Sequence, residues 1–245
     1  MNITSSLAII ALSGLIHASF QLSVSLLTLL SSHTIGKRKS HSRLLTLTGS
    51  FSFGAATMTI LLLSFVALIM NGLTQSTNSY LLWTVCCGLL TGVGFAVWLF
   101  YYRKEAGTSL WIPRGLAAFL RDRTKKTSHA AEAFSLGLMS VLAEIIFIIA
   151  PIVASGFILI QLDTMWQIIG ILLYALIASS SHFLVTFLIG GGVSLSRIQK
   201  WRETNKQFLQ FSAGTGLLVL GFYLYVDQVT SVAVNAAAAA TSGGM

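Results

Sequence analysis

The apolar residues of this chain run in long blocks rather than in alternation, and the polar residues collect in the gaps between them. Six blocks stand out: Leu7 to Leu30, Leu44 to Met70, Tyr80 to Phe100, Phe134 to Ile160, Trp166 to Gly190 and Phe208 to Val226. Each is long enough to cross a hydrocarbon core as a helix, which takes about 20 residues. The expected fold is therefore an all-α membrane protein with six transmembrane helices in a single transmembrane domain. The first block reads as a span and not as a cleaved signal peptide. No basic residue precedes it in MNITSS, and its apolar stretch outruns an h-region.

A different pattern occupies the gap at 101–133. Ile112, Leu116, Phe119 and Leu120 share one face at helical spacing, with Trp111 and several arginines at its margins. This predicts a short amphipathic helix over 109–121, lying on the inner leaflet within a linker at about 103–130. The tail, 227–245, ends in five alanines and TSGGM, offers no chemistry, and reads as mobile or foreign to the protein.

The two halves also echo each other. Gly14-Leu-Ile-His-Ala-Ser-Phe-Gln21 in the first span matches Gly137-Leu-Met-Ser-Val-Leu-Ala-Glu144 in the fourth, at an offset of 123. Thr91-Gly92 matches Thr215-Gly216 at an offset of 124. Each half has three spans, so the second half enters from the opposite side. The expectation is two inverted three-helix repeats, about 7–102 and 131–226, an arrangement common in secondary transporters.

Composition and charge narrow this picture. The chain is 55% hydrophobic and only 9% charged, with a mean hydropathy of +0.81. A soluble domain runs at about a quarter charged, so these few charges cannot cover a soluble surface. The net charge of +8 does not argue for nucleic acid, because all 15 Lys and Arg fall in gaps 31–43, 101–133 and 191–207. By the positive-inside rule those gaps face the cytoplasm, with both termini outside a plasma membrane. Cys86 and Cys87 are adjacent within an apolar block, which is neither a disulfide framework nor a zinc pattern.

Glu144 is the leading candidate for chemistry. It lies near the centre of the fourth span, and a carboxylate at that depth costs on the order of 2.5–3.5 kcal/mol. It would serve as a proton or cation site, or as a protonated carboxyl bonded to a neighbouring helix. Ser140 belongs to the same stretch. His17 and Gln21 are one turn apart in the first span, with Ser25 extending their stripe, and Gln21 is the repeat counterpart of Glu144. His182 follows three serines in the fifth span, whose hydroxyls would wrap around the helix. Pro151 should kink the fourth span. Ser50 with Gly54, Gly88 with Gly92 and Gly94, and Gly214 with Gly216 and Gly221 form small-residue faces for close packing. Gly190 to Gly192 ends the fifth span as a C-cap or a hinge.

With the opening SGLIHASFQLS, the basic loop after the first span, the 3+3 repeat and the closing GTGLLVLGFYLY, the chain resembles the lysine-exporter (LysE) superfamily in its broad sense. That group includes LysE-type exporters, metal permeases and the DsbD/CcdA thiol conduits. The resemblance implies a membrane transporter. The thiol conduits carry a cysteine in the first and fourth spans, where this chain has none. The GLIHA stretch is similar to the start of the nickel/cobalt permease signature but lacks its following aspartate and histidine. A metal site would need His17, Glu144 and His182 drawn from separate helices.

The leading expectation is thus a secondary transporter, exporting a small polar or cationic solute such as an amino acid or metal ion, with protons coupled through Glu144. The alternative is a non-transporting subunit that scaffolds a larger membrane complex. An enzyme is not expected, since no nucleophile–base pair or HExxH motif occurs, and no cofactor is. Expected partners are the lipid bilayer and a small solute or ion, with a homo-oligomer or membrane partner subunits compatible with both readings, and no nucleic acid.

Overall fold

The computed structural model describes residues 2–20, 25, 27, 28, 30, 41–101 and 114–230. Most of those residues are helical, with no strand among them. In chain order the helices are α1 (Ile3–Ser19), α2 (His41–Ser76), α3 (Ser79–Ala96), α4 (Arg114–Lys126), α5 (Ala130–Ala143), α6 (Ile145–Leu159), α7 (Thr164–Ala178), α8 (Ser180–Gly190) and α9 (Leu195–Leu224). Wider π turns extend α3 over Val97–Tyr101 and α9 over Tyr225–Thr230.

Among the described residues three helical segments, Ser42–Ser76, Ser79–Phe100 and Ser196–Thr230, are long and apolar enough to cross a membrane. The pairs α5–α6 and α7–α8 pass the same test as bent units, which brings the total to five. Large apolar side chains cover the outside: Phe187 is 77% exposed, Phe222 69% and Leu68 68%. Such a surface is stable only against lipid or protein. In the first span α1 ends at Ser19, because Phe20 adopts an extended conformation and caps it, and Ser25, Leu27, Thr28 and Leu30 beyond it are helical again.

Local sequence explains the helix starts. Asn2 accepts a hydrogen bond from the Ser5 amide at 2.7 Å, and Asn78 accepts one from the Tyr80 amide at 2.9 Å. At α5 the Glu132 carboxylate reaches back to the amides of Ser128 (2.8 Å) and His129 (3.3 Å), satisfying two donors that no helical carbonyl can reach. The last turn of α8 closes with Gly192 at φ +82°, a left-handed conformation that costs glycine nothing. The Val193 amide bonds Leu188 at 3.0 Å and the Gly192 amide bonds Ile189 at 3.1 Å. That is a Schellman cap, so of the two readings for Gly190–Gly192 the C-cap holds.

α6 sits at the centre, most of its side chains are buried, and it is apolar around nearly its whole circumference, as a largely buried helix must be. It packs on α1, α2 and α3, while α2 packs on α5, α7 and α8, α1 on α7 and α9, and α3 on α9. Glycines set the closest approaches. A Cβ on Gly54 would collide with the Phe134 carbonyl, and one on Gly137 with the Phe51 carbonyl, so α2 and α5 touch backbone to backbone. At the α1–α7 crossing a Cβ on Gly14 would stand 3.2 Å from the Tyr174 carbonyl. Between α3 and α9, Gly94 faces Leu218, Gly214 faces Trp98 and Gly221 faces Leu90 and Thr91.

Several expectations are corrected by this arrangement. Gly88 and Gly92 face open space, so they form no packing face; the seam with α9 runs through Gly94 instead. The basic gap at 191–207 is helical from Leu195, because α9 extends 30 residues and carries its cations on helical turns. α2, at 36 residues, spans about 54 Å at 1.5 Å per residue and likewise overruns its apolar block. The linker helix is described over Arg114–Lys126 and runs past the expected end at 121. Its polar last turn is basic and suits the negative helix terminus. Trp111 and Ile112 lie outside the described residues. The tail is not free from 227: the π turn holds Asp227–Thr230, with Val229 buried, and 231–245 lies outside the described residues.

Candidate functional site

The fourth block does not cross as one rod. α5 and α6 meet at an angle of 80°, and the residue at the corner is Glu144. Its backbone sits at φ −89°, ψ 0°, its amide bonds the Val141 carbonyl at 3.0 Å, and its carbonyl accepts from the Phe147 and Ile148 amides. These short-range bonds satisfy the backbone at the corner, which in an apolar interior is the condition for breaking a helix at all. The side chain is only 2% exposed. The kink therefore falls at Glu144 and not at Pro151, as expected from sequence. α6 runs through Pro151 unbroken.

The fifth block breaks in the same way. α7 and α8 meet at 49° with Ser179 at the corner, φ −89°, ψ −1°. This interrupts the run of serines, so Ser180 and Ser181 begin a new helix instead of continuing to wrap around the old one. His182 follows within the first turn of α8, is 6% exposed, and leans on the Phe51 ring at 6.2 Å. Among the described residues neither of its ring nitrogens has a hydrogen-bond partner, and neither does the Ser181 hydroxyl. Burying such groups unpaired costs about 1–3 kcal/mol each, so this corner favours a water or a polar ligand that would satisfy them.

His17 has a partner. Its Nδ1 lies 3.2 Å from the hydroxyl of Tyr174, tying α1 to α7, and both residues are buried. His182 lies within electrostatic range of both His17 and Arg202. Arg202, on α9, donates to the Ser25 hydroxyl at 2.7 Å. Ser140 is fully buried and donates to the Gly137 carbonyl of its own helix at 2.7 Å.

Of the sequence candidates, then, Glu144, Ser140, His17 and His182 are all interior. Gln21 lies outside the described residues. The stripe His17–Gln21–Ser25 is not a continuous helical one, since α1 ends at Ser19 and Phe20 is extended. No three His, Cys, Asp or Glu side chains among the described residues are grouped to hold a metal ion, so the trio His17, Glu144 and His182 is not assembled as a metal site. Cys86 and Cys87 are buried free thiols, not a disulfide.

Sequence reasoning missed Tyr174, Arg202 and Gln210. Tyr174 was visible as a lone hydroxyl in the apolar run Ile171–Ile177. Arg202 was counted only as a loop cation, and helical register shows it on the same side as Lys206 and the buried Gln210. The chain matches no protein-family model, and neither the curated proteins nor the solved structures include one similar to it.

Proposed function

We propose that this chain is a secondary transporter of a small polar or cationic solute, with Glu144 as its proton-coupling group. The observation that carries the reading is a carboxylate 2% exposed at an 80° break between two largely apolar helices. Broken helices at mid-membrane are the usual way a transporter presents backbone and side-chain polarity to a solute. An intramembrane carboxylate is functional by default because its burial is costly. The resemblance to the lysine-exporter superfamily favours export, of an amino acid or a metal ion.

Six spans in two inverted repeats is the architecture of this reading, and the packing supports it. Gly14 approaches the Tyr174 carbonyl and Gly137 approaches the Phe51 carbonyl, and both residues of one pair stand 123 positions from their counterparts in the other. The cap residues Phe20 and Glu144, at the ends of α1 and α5, are 124 apart. Exchanging the two halves also maps each packed pair of spans onto another packed pair, apart from the sequential neighbours α6 and α7. With the basic segments on the cytoplasmic side of the plasma membrane, both termini are outside.

A non-transporting scaffold subunit is the second reading. It is favoured by the direct His17–Tyr174 bond, which seals two interior polar groups against each other. Reconstitution separates the two. Wild-type proteoliposomes should move an amino acid or cation down an imposed proton gradient, and Glu144→Gln should insert and fold yet lose the pH-dependent flux. Transport by Glu144→Gln at the wild-type rate and pH profile would remove proton coupling through this residue. No flux of any tested amino acid or cation by the wild type would leave the scaffold.

A further inference from the structure

Outside the bundle, α4 and α5 enclose a groove of about 390 Å³ whose chemistry changes along its length. At the end where α4 turns into α5 it is lined by Arg123 and Lys126, both exposed. Further along α5 it is lined by Leu136 and Met139, with Phe119 of α4 alongside. Phe119 is 49% exposed and Met139 38% exposed, so the apolar stretch is open at the surface, over a floor formed by the buried Leu136. From Ala131 to Met139 the wall rises about 12 Å at 1.5 Å per residue. Two cations at one end and an open apolar trough at the other match an amphiphile with an anionic head. They do not match a free anion, for which the trough has no use.

We propose that this groove binds an anionic phospholipid, with its phosphate on Arg123 and Lys126 and an acyl chain along Phe119, Leu136 and Met139. The one acid in the lining, Glu132, does not cancel the site. Its carboxylate oxygen is held by the Ser128 and His129 amides, and two cations face one carboxylate. The start of α5 adds its positive helix terminus at the same end. The groove joins the linker helix to the first apolar turns of a span, which is the depth at which a headgroup gives way to acyl chain. The site does not depend on whether the protein transports anything, since it lies away from Glu144 and the histidines.

The test uses the full chain in mild detergent, titrated with phosphatidylglycerol or with phosphatidylcholine of the same acyl chains, and read by its thermal midpoint. Phosphatidylglycerol should raise the midpoint saturably and phosphatidylcholine should not. Replacing both cations, Arg123→Gln with Lys126→Gln, should raise the half-saturating concentration about 30-fold, from about 1 kcal/mol per cation. Arg121→Gln, which removes one positive charge from the same helix but off the groove, should leave it unchanged. On wild-type protein, which removes any dependence on the variants folding, a diazirine-bearing phosphatidylglycerol should label within 119–139. An equal response to phosphatidylcholine overturns the proposal, as does an equal loss in Arg121→Gln or label confined to other helices. Inorganic phosphate alone reproducing the shift also overturns it, since the apolar trough would then play no part.

Discussion

The α1–α7 and α2–α5 crossings use one packing device to reach two chemical results. In each, a glycine brings a helix against the carbonyl of an aromatic residue: Gly14 against Tyr174, Gly137 against Phe51. Three residues past each glycine stands the polar side chain of the crossing, His17 in one and Ser140 in the other. In the first, the aromatic carries a hydroxyl, and His17 bonds it across the interface at 3.2 Å. In the second, phenylalanine offers nothing, and the Ser140 hydroxyl falls back on its own helix. One crossing is a polar contact between helices; the other is a steric joint. Packing of this kind is set by small residues, and polarity is laid on top of it independently.

The largest difference to expect between the two is steric. Gly137→Ala sets a Cβ into the Phe51 backbone, which no rotamer change can relieve, and should cost about 3 kcal/mol. Gly14→Ala meets its nearest neighbours at 3.2 Å and should cost less than about 1 kcal/mol. Unfolding midpoints of the two variants in one detergent check this. An equal loss in both would mean that the crossings are equally tight and that the comparison rests on side chains alone.

The next difference is polar. Tyr174→Phe makes the first crossing resemble the second and strands the His17 ring, and should cost about 1–2 kcal/mol. In a double-mutant cycle with His17→Phe the coupling should be about 1 kcal/mol, the scale of hydrogen bonds between membrane helices. A coupling near zero would show that the 3.2 Å contact carries no energy, and with it would go the one observation that favours a scaffold.

How much of this was legible in the sequence follows from which signals are local. Apolar block length is local, and α2, α3 and α9 cover the blocks that predicted them, while the polar turns by which α2 and α9 overrun those blocks carried no such signal. The residues that matter at crossings were partly visible, since Gly14 and Gly137 fell in the very stretches whose likeness suggested a repeat. The breaks at Glu144 and Ser179 were not visible, because no glycine or proline marks either corner. The obvious breaker, Pro151, sits inside an intact helix. Where a helix bends in an apolar bundle is decided by what its neighbours can cover, which is a tertiary property. Partners were hidden for the same reason. His17 was assigned to Gln21 by helical spacing, but α1 ends between them, and its hydrogen bond goes instead to a residue 157 positions away.

The smallest effect falls on Ser140, and it bears on which crossing contributes to transport. Its hydroxyl donates only to Gly137, one turn back, a bond that competes with the helix's own and lends it little stability. Ser140→Ala removes one atom from a fully buried position. Because the Gly137 carbonyl left behind is still an acceptor in the helix's own ladder, the change should fall within about 0.5 kcal/mol. If the second crossing is a joint, Ser140→Ala in proteoliposomes should transport at the wild-type rate. His17→Ala, at the equivalent position of the first crossing, should not, because it removes the inward polar group along with its bond to Tyr174. A severalfold fall in flux for Ser140→Ala, with its unfolding midpoint unchanged, would mean that the hydroxyl turns away from Gly137 to meet the solute. Both crossings would then line the site, and Glu144, one helical turn beyond Ser140, would share its solute with a serine in the same half of the chain.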